Sequence, residues 1–435
     1  MRFMINKIII GTLFLWSSNV FCSGMLTMAR FQRINNPINE NVSDNFIQFD
    51  FDEEREGGRW DLSYEGSLRH YTENQGLMFS ISEAYLSKNN GRTEYTLGRK
   101  VIDWNANDKF WSMGEISPLK SFNLLRTKRE GLLGFHFNRK THHSELTLFG
   151  SLLNVPQINP GIKVNEGNIT GANEWSYPPP SFIRFRNNDI PVYYEIYYPN
   201  ISEILIQESF AFKFDYKIKK ENKLSIYGGY KPEPVLRTIA TGYYDQLNEE
   251  RVNIQAKPFV NHQTFYGLSY NFNFKERRDE TSLTIAFDGV LPERGTDRIF
   301  DDFDSLKVQP VYERVSYGTI SIRKKSDLFS GGLNYIHLIE GGGQNPNVFA
   351  KKVRWKRAIG LNLDWLITGK TFFRADYKFD IKDKSMTFLS SVGYQLSRKL
   401  IIGAEFQVLN VPDNTSFWAP FRSNDSLLMK MSYMF

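Results

Sequence analysis

The sequence predicts an all-β chain: a transmembrane antiparallel up-and-down β-barrel of about eighteen strands, with sixteen as the alternative. Three observations predict it. The last ten residues, Ser426 to Phe435, alternate as a strand, with Leu427, Met429, Met431, Tyr433 and Phe435 on one register. Candidate strands follow one another with no amphipathic helix of any length between them. The connections are short and long in turn along most of the chain, as in barrels that cross a bilayer.

Composition agrees. Aromatic residues make up 15% of the 435 positions, yet the mean hydropathy is negative. A barrel wall needs alternating apolar positions and aromatic girdles but no long apolar run. No stretch after the N-terminus approaches the roughly twenty apolar residues of a membrane-spanning helix. Residues 1–24 read as a signal peptide, leaving 25–435 as the barrel. Arg2 and Lys7 form its basic region, Ile8 to Trp16 its apolar core and Ser17 to Gly24 its cleavage region, with cleavage after Cys22 or Gly24. A lipid-modified Cys22 is the alternative, which the bulk of Phe21 argues against. Cys22 is the single cysteine, so the mature chain has no disulfide.

Taken in order, the predicted strands are Met25–Arg33, Phe46–Glu53, Arg59–Leu68, Leu77–Leu86, Arg92–Val101, Gly131–Asn138, Ser144–Leu153, Ser209–Lys219 and Lys223–Tyr230. Then come Gln263–Phe274, Glu280–Leu291, Val311–Arg323, Leu328–Ile339, Val353–Ile367, Thr371–Ile381, Met386–Leu396, Leu400–Leu409 and Ser426–Phe435. Ser209–Lys219 shows the rule: Phe210, Phe212, Phe214, Tyr216 and Ile218 share one face. In Val353–Ile367 the apolar register is Trp355, Ile359, Leu361, Leu363 and Trp365. Counting back from Phe435, the short connections are Ser397–Lys399, Thr368–Lys370, Lys324–Asp327, Lys275–Asp279, Glu221–Asn222, Arg139–His143 and Ser87–Gly91. The long ones are Asn410–Asp425, Glu340–Lys352, Pro292–Pro310, Lys231–His262, Asn154–Glu208 and Ile102–Glu130. Lys382–Ser385 is short where a long one is expected. A soluble β-sandwich has no reason to sort connections by parity.

The closing strand, with Tyr433 two residues before a final Phe435, resembles the terminal strand of Gram-negative outer-membrane β-barrels. The resemblance implies that Tyr433 and Phe435 form the signal read by the barrel-assembly machinery. It also implies a bacterial outer-membrane location among lipid and lipopolysaccharide, with the short turns in the periplasm. Those turns hold much of the positive charge: Arg139-Lys140, Lys219-Lys220, Lys275 with Arg277-Arg278, Arg323-Lys324-Lys325 and Arg398-Lys399. Removing Arg2 and Lys7 with the signal peptide takes the formal charge from +6 to +4, and attraction to anionic head groups explains where it sits, with a periplasmic partner or an anion funnel as the alternative. It forms no continuous surface mixed with stacking aromatics, so no nucleic acid is expected as partner.

The inward register carries both signs. It includes Arg354, Lys356, Asp364, Arg374, Asp376, Lys378, Asp380, Lys213, Asp215, Glu405, Gln407 and Lys430, a wall of cross-strand ion pairs or the lining of a solute path. Two long connections are candidates to narrow that path. Residues 154–208 are rich in aromatics, with Arg184 and Arg186 opposed by Asp189 and Glu195; they form either an inward constriction or an external lid. In residues 102–130, Gly98-Arg99, Trp104, Asp108 and Pro118 resemble a pattern of alginate-export-type large barrels, with Asn105 where a Gly usually follows the Trp. There the Trp opens an inward loop. The resemblance implies that Arg99, Lys120 and Arg126 help bias the lumen towards anions.

The expected function is a porin-like channel for passive diffusion of small polar or anionic solutes. The alternatives are a non-conducting surface barrel whose external loops bind a partner, and a barrel enzyme acting on lipid. The spacing His142-x-Ser144 resembles that of lipid A deacylases, but parity puts it at the periplasmic rim. No catalytic residue, metal site or cofactor is expected, and oligomeric state is left open.

Overall fold

A strand alternating apolar and polar residues buries one face only, and in a bilayer its backbone polar groups need partners on both edges. A closed ring of such strands meets both demands. The computed structural model describes residues 23–34, 43–55, 59–72, 76–120, 122–157, 162–165, 167–171, 175–176, 179–185, 187–219, 221–245, 251–276, 279–293, 306–308, 313–341 and 353–435. The expected signal peptide falls outside them, save Ser23 and Gly24.

Eighteen antiparallel strands form the ring. They are β1 (Ser23–Arg33), β2 (Ser43–Arg55), β3 (Asp61–Tyr71), β4 (Leu77–Asn90), β5 (Thr93–Lys100), β6 (Leu132–Lys140), β7 (Ser144–Leu153), β8 (Ile206–Lys217) and β9 (Asn222–Pro232). The ring continues with β10 (His262–Glu276), β11 (Asp279–Pro292), β12 (Val315–Lys325), β13 (Phe329–Glu340), β14 (Arg357–Leu366), β15 (Thr371–Asp380), β16 (Met386–Gln395), β17 (Leu400–Asn410) and β18 (Ser426–Met434). Each pairs with the next, and β18 returns to β1, from Met25 opposite Met434 to Arg33 opposite Ser426. The strand number is eighteen, not sixteen.

The two faces differ as the alternation requires. On β8, Phe210, Phe212, Phe214 and Tyr216 stand exposed on the outer wall, while Ser209, Ala211, Lys213 and Asp215 are buried on the inner one. The closing seam has its own chemistry. Phe435 stacks on Phe49, ring centroids 5.6 Å apart and planes 7° from parallel. Its N–H donates to the Gly24 carbonyl at 3.1 Å. A Cβ at Gly24 would lie 2.5 Å from the Phe435 ring, so the first strand makes room for the last residue.

Two expectations need correction. Trp355 is not on the outer wall: β14 begins at Arg357, and Trp355 turns inward against Trp111 and Trp418, at 5.9 and 5.3 Å. There the Asp380 carboxylate takes the Lys356 N–H at 2.6 Å in place of a neighbouring strand, while the Lys356 carbonyl still accepts from Leu338 at 2.6 Å. The long connections also hold strands of their own. Phe182–Phe185, Asn188–Ile196, Arg251–Phe259, Arg237–Asp245 and Leu306–Val308 form a second, five-stranded sheet from three different connections. Its buried face is Ile190, Val192, Tyr194 and Val252. The short turn at 382–385 is covered instead of extended, with Ser385 Oγ bonded to Ser416 Oγ at 2.8 Å.

Phe435→Ala removes the stack on Phe49, an aromatic pair of about 1 kcal/mol, and frees the end of the seam. Refolding into detergent should give a smaller folded fraction on a heat-modifiability gel. An unchanged folded fraction and refolding rate would contradict this account of the seam.

Candidate functional site

The connection 102–130 begins and ends on a buried ion pair. Gly98 has φ +131°, and a Cβ there would sit 2.3 Å from the Ala84 carbonyl. That twist turns Arg99 away from the outer register of Tyr95 and Leu97. Arg99 is 7% exposed. It donates to the Gly131 carbonyl at 3.0 Å, the Ile81 carbonyl at 2.5 Å and the Glu130 carboxylate at 2.9 Å. Glu130 also accepts from Ser80 Oγ at 2.5 Å. One guanidinium thus holds both ends of the connection to the wall.

The segment between them lines one half of the interior and then the other. Trp104 is buried against Tyr227 and Phe265, on β9 and β10. Asn105 caps helix α1 (Ala106–Trp111), its Oδ1 accepting the N–H groups of Asn107 and Asp108 at 2.7 and 2.9 Å. Its amide donates to Tyr227 at 2.9 Å and to Asp288 on β11 at 2.7 Å. Asn107 donates to Thr319 on β12 at 2.7 Å. Phe110 lies over Gly360 of β14, where a Cβ would be 2.4 Å from its ring. Trp111 joins Trp355 and Trp418 in an apolar cluster that also takes Trp175, from residues 154–208.

The return half faces β3, β17 and β18. Phe122 packs with Phe46, Tyr71 and Leu428. Asn123 donates to Gln407 at 3.2 Å. Lys120 donates to Ser67, Arg126 pairs with Glu405, and Lys128 with Glu65. Burial lowers the pKa of Lys120 and of Arg126, with Asp50 and Glu405 respectively opposing it. Glu405 is buried and also faces Lys430 at 3.7 Å. Arg69 completes the group. Its guanidinium is 4.4 Å from the Phe46 ring centroid and bonds the neutral Gln48 and Tyr71 at 2.8 and 3.2 Å.

The residues singled out from sequence therefore fall into three places. Arg99 is in the buried clamp. Lys120 and Arg126 come together with Arg69, Lys128 and Lys430 on one inner wall. Arg184 and Asp189 are exposed cross-strand partners in the second sheet, and exposed Glu195 accepts from Gln255 at 3.3 Å on that sheet. Arg186 lies outside the described residues. Arg69 was missed, although extending the third strand to Tyr71 puts it on the inward register of Ser67. His142 and Ser144 are not partners: His142 meets Arg92 at 3.3 Å and Ser144 meets Thr141 at 2.8 Å.

Glu130→Gln leaves a buried guanidinium without its counter-charge, a loss of about 3–5 kcal/mol for such a pair. The cost should appear locally. Limited proteolysis should cut within 102–130 while the barrel stays heat-modifiable. Cleavage no faster than in the parent protein would contradict the clamp.

No family model matches the chain. Two curated proteins share a segment with it: the indole-3-glycerol phosphate synthases of Thermoanaerobacter sp. (strain X514) and Thermoanaerobacter pseudethanolicus (strain ATCC 33223 / 39E). Each is 29% identical over 98 residues, 22% of this chain and 37% of the synthase. The chain thus spans little over a third of the length of the curated relatives it matches. Solved structures align over nearly all of it. A BenF-like porin from Pseudomonas fluorescens Pf-5 has a TM-score of 0.52 at 10% identity, covering 95% of this chain and 98% of the porin. OccK2 (OpdF) of Pseudomonas aeruginosa has a TM-score of 0.50 at 11% identity, covering 95% and 97%. The same protein in complex with glucuronate also gives 0.50 at 11% identity, covering 95% and 98%. The closed eighteen-strand ring, its apolar outer wall and these likenesses define the fold: a porin-like β-barrel of the bacterial outer membrane.

Proposed function

We propose that the chain is a passive channel for small polar solutes with a preference for anions, narrowed by residues 102–130. It is made with a cleaved signal peptide in a Gram-negative cell, where outer-membrane lipid, lipopolysaccharide and the barrel-assembly machinery are its partners. Pairing of Ser23 in β1, opposite Asp52, favours cleavage after Cys22. The observation that carries the anion preference is the pairing state of the inner-wall cations. Arg69 and Lys120 make their hydrogen bonds to neutral side chains, Gln48, Tyr71 and Ser67, with Asp50 the nearby carboxylate acting on Lys120, and both lie near the Phe122 ring, at 5.7 and 5.0 Å. Cations fixed without being fully neutralised raise the local concentration of anions. Elsewhere on the inner wall cations sit beside carboxylates: Lys378 pairs with Asp376 at 3.1 Å and Lys213 with Asp215 at 3.5 Å. Glucuronate, seen with the similar OccK2, is an organic anion of the class this wall suits. The reading assigns the chain no catalysis, which agrees with the separate partners of His142 and Ser144.

A second reading rests on a different observation. Three long connections build an ordered sheet, and four tryptophans, Trp111, Trp175, Trp355 and Trp418, pack together at the same end. That construction suits a non-conducting barrel that presents a binding surface.

Purified protein in a planar bilayer under a salt gradient separates the two. The channel reading predicts discrete conductance steps and a reversal potential of anion-selective sign. The double variant Arg69→Gln with Lys120→Gln should shift selectivity several-fold towards cations. Protein that inserts and never conducts would overturn the channel and leave the surface barrel. Conductance unchanged in selectivity by the double variant would overturn the role of this wall.

A further inference from the structure

One seam between the inner connection and the wall holds carboxyl groups on opposite sides, Asp108 and Glu115 on the connection and Asp288 on the wall. Asp108 belongs to α1 and Asp288 to β11, and both line a cavity of about 20 Å³ with Asn107, Glu115, Tyr317 and Thr319. That is room for about one water. The direct bonds holding α1 to the wall are few: Asn105 to Asp288 and Tyr227, and Asn107 to Thr319. Asp288 is supplied with donors, from Asn105 at 2.7 Å and from Tyr227. Asp108 has less: Ser117 is its hydrogen-bonding neighbour, its Oδ2 has no partner at ordinary hydrogen-bond distance among the described residues, and neither has Asn107 Oδ1, on a side chain 1% exposed.

Ionised, Asp108 therefore sets a charge and an unpaired acceptor in a narrow seam beside a second carboxylate. Protonated, it becomes a donor into the seam, and the repulsion across it disappears. We propose that the α1 end of residues 102–130 is a proton-operated latch, in which a proton on the Asp108–Asp288 pair fastens the helix to the barrel wall and its loss to water loosens it.

The charged and titratable groups facing the pair are Arg129, Glu115 and Asp103 from the connection itself, and Tyr227 from β9. Burial raises the Asp108 pKa from its ordinary value to about 6, with Arg129 opposing and Glu115 and Asp103 adding to the rise. The docked state thus holds the proton more tightly than the released one. Docking gains its full increment below the ordinary carboxyl pKa and loses it as pH rises through about 6. A released helix titrating near 3.8 and a docked one near 6 differ in docking equilibrium by about tenfold between pH 5 and 8.

Hydrogen exchange on the full-length protein in detergent tests the latch, with rates corrected for intrinsic pH dependence. It needs no conduction, so failure here is separate from failure of the channel reading. Protection of residues 105–112 should fall about tenfold from pH 5 to 8 while β11 and β12 stay unchanged. Asp108→Asn should make protection of 105–112 independent of pH. Asp288→Asn, which keeps Asp108, should reduce the slope and serves if the first variant folds poorly. Equal protection at both pH values in the parent, or an undiminished slope in both variants, would overturn the proposal.

Discussion

Everything in this molecule depends on leaving no barrel strand with an unpaired edge. In hydrocarbon an unbonded amide costs several kcal/mol, so the ring must close, and it closes where the last strand meets the first. The seam from Met25–Met434 to Arg33–Ser426 is backed at one end by the Phe435–Phe49 stack and at the other by Ile34, whose N–H donates to the Asp425 carbonyl at 2.8 Å. Gly24 contributes by having no side chain where the Phe435 ring lies. Closure then fixes which side chains face inward, and the interior chemistry follows from it.

Within that ring the connection 102–130 is held by direct contacts all the way along. A clamp fixes its ends, a capped helix lies on β11 and β12, and a basic stretch lies against β3 and β17. The contacts differ in kind. The clamp is a buried, hydrogen-bonded ion pair; the helix combines a few neutral bonds with the burial of Phe110 and Trp111, beside Asp108, Glu115 and Asp288; in the basic stretch Arg126 and Lys128 pair with Glu405 and Glu65 while Lys120 bonds the neutral Ser67. A short helix held by packing and a few neutral bonds within a rigid frame is a construction in which local opening costs less than unfolding.

Strand number and order were legible because lipid demands an apolar residue at every second position through the belt. The demand lapses at the ends. The third strand was read to Leu68 but runs to Tyr71, and Arg69 lies in the difference. Trp355 looked like one more outer residue, but there the Asp380 carboxylate takes the Lys356 N–H in place of a neighbouring strand. Arg99 shows a different limit: period two assigns it to the lipid side with Leu97, and only a positive φ at Gly98 brings it in. The second sheet has its own alternation at Ile190, Val192 and Tyr194, but Pro191 and Pro258 within its strands argue against reading it from sequence. The Lys120–Arg69 grouping joins the inner connection to β3, two strands back along the wall, and the Arg126–Glu405 pair joins it to β17, a proximity that closure of the ring creates.

The central claim is that the wall around Phe122 is a solute path with an anion-attracting field. Asn123→Cys places a thiol there in a chain whose single native cysteine is Cys22. Its labelling rates by a sulfonated and by a quaternary-ammonium thiol reagent, on protein in liposomes, measure access and field together. The account predicts modification by both, faster with the sulfonated reagent at low salt and converging as salt rises. No labelling, or faster labelling by the cationic reagent, would contradict it.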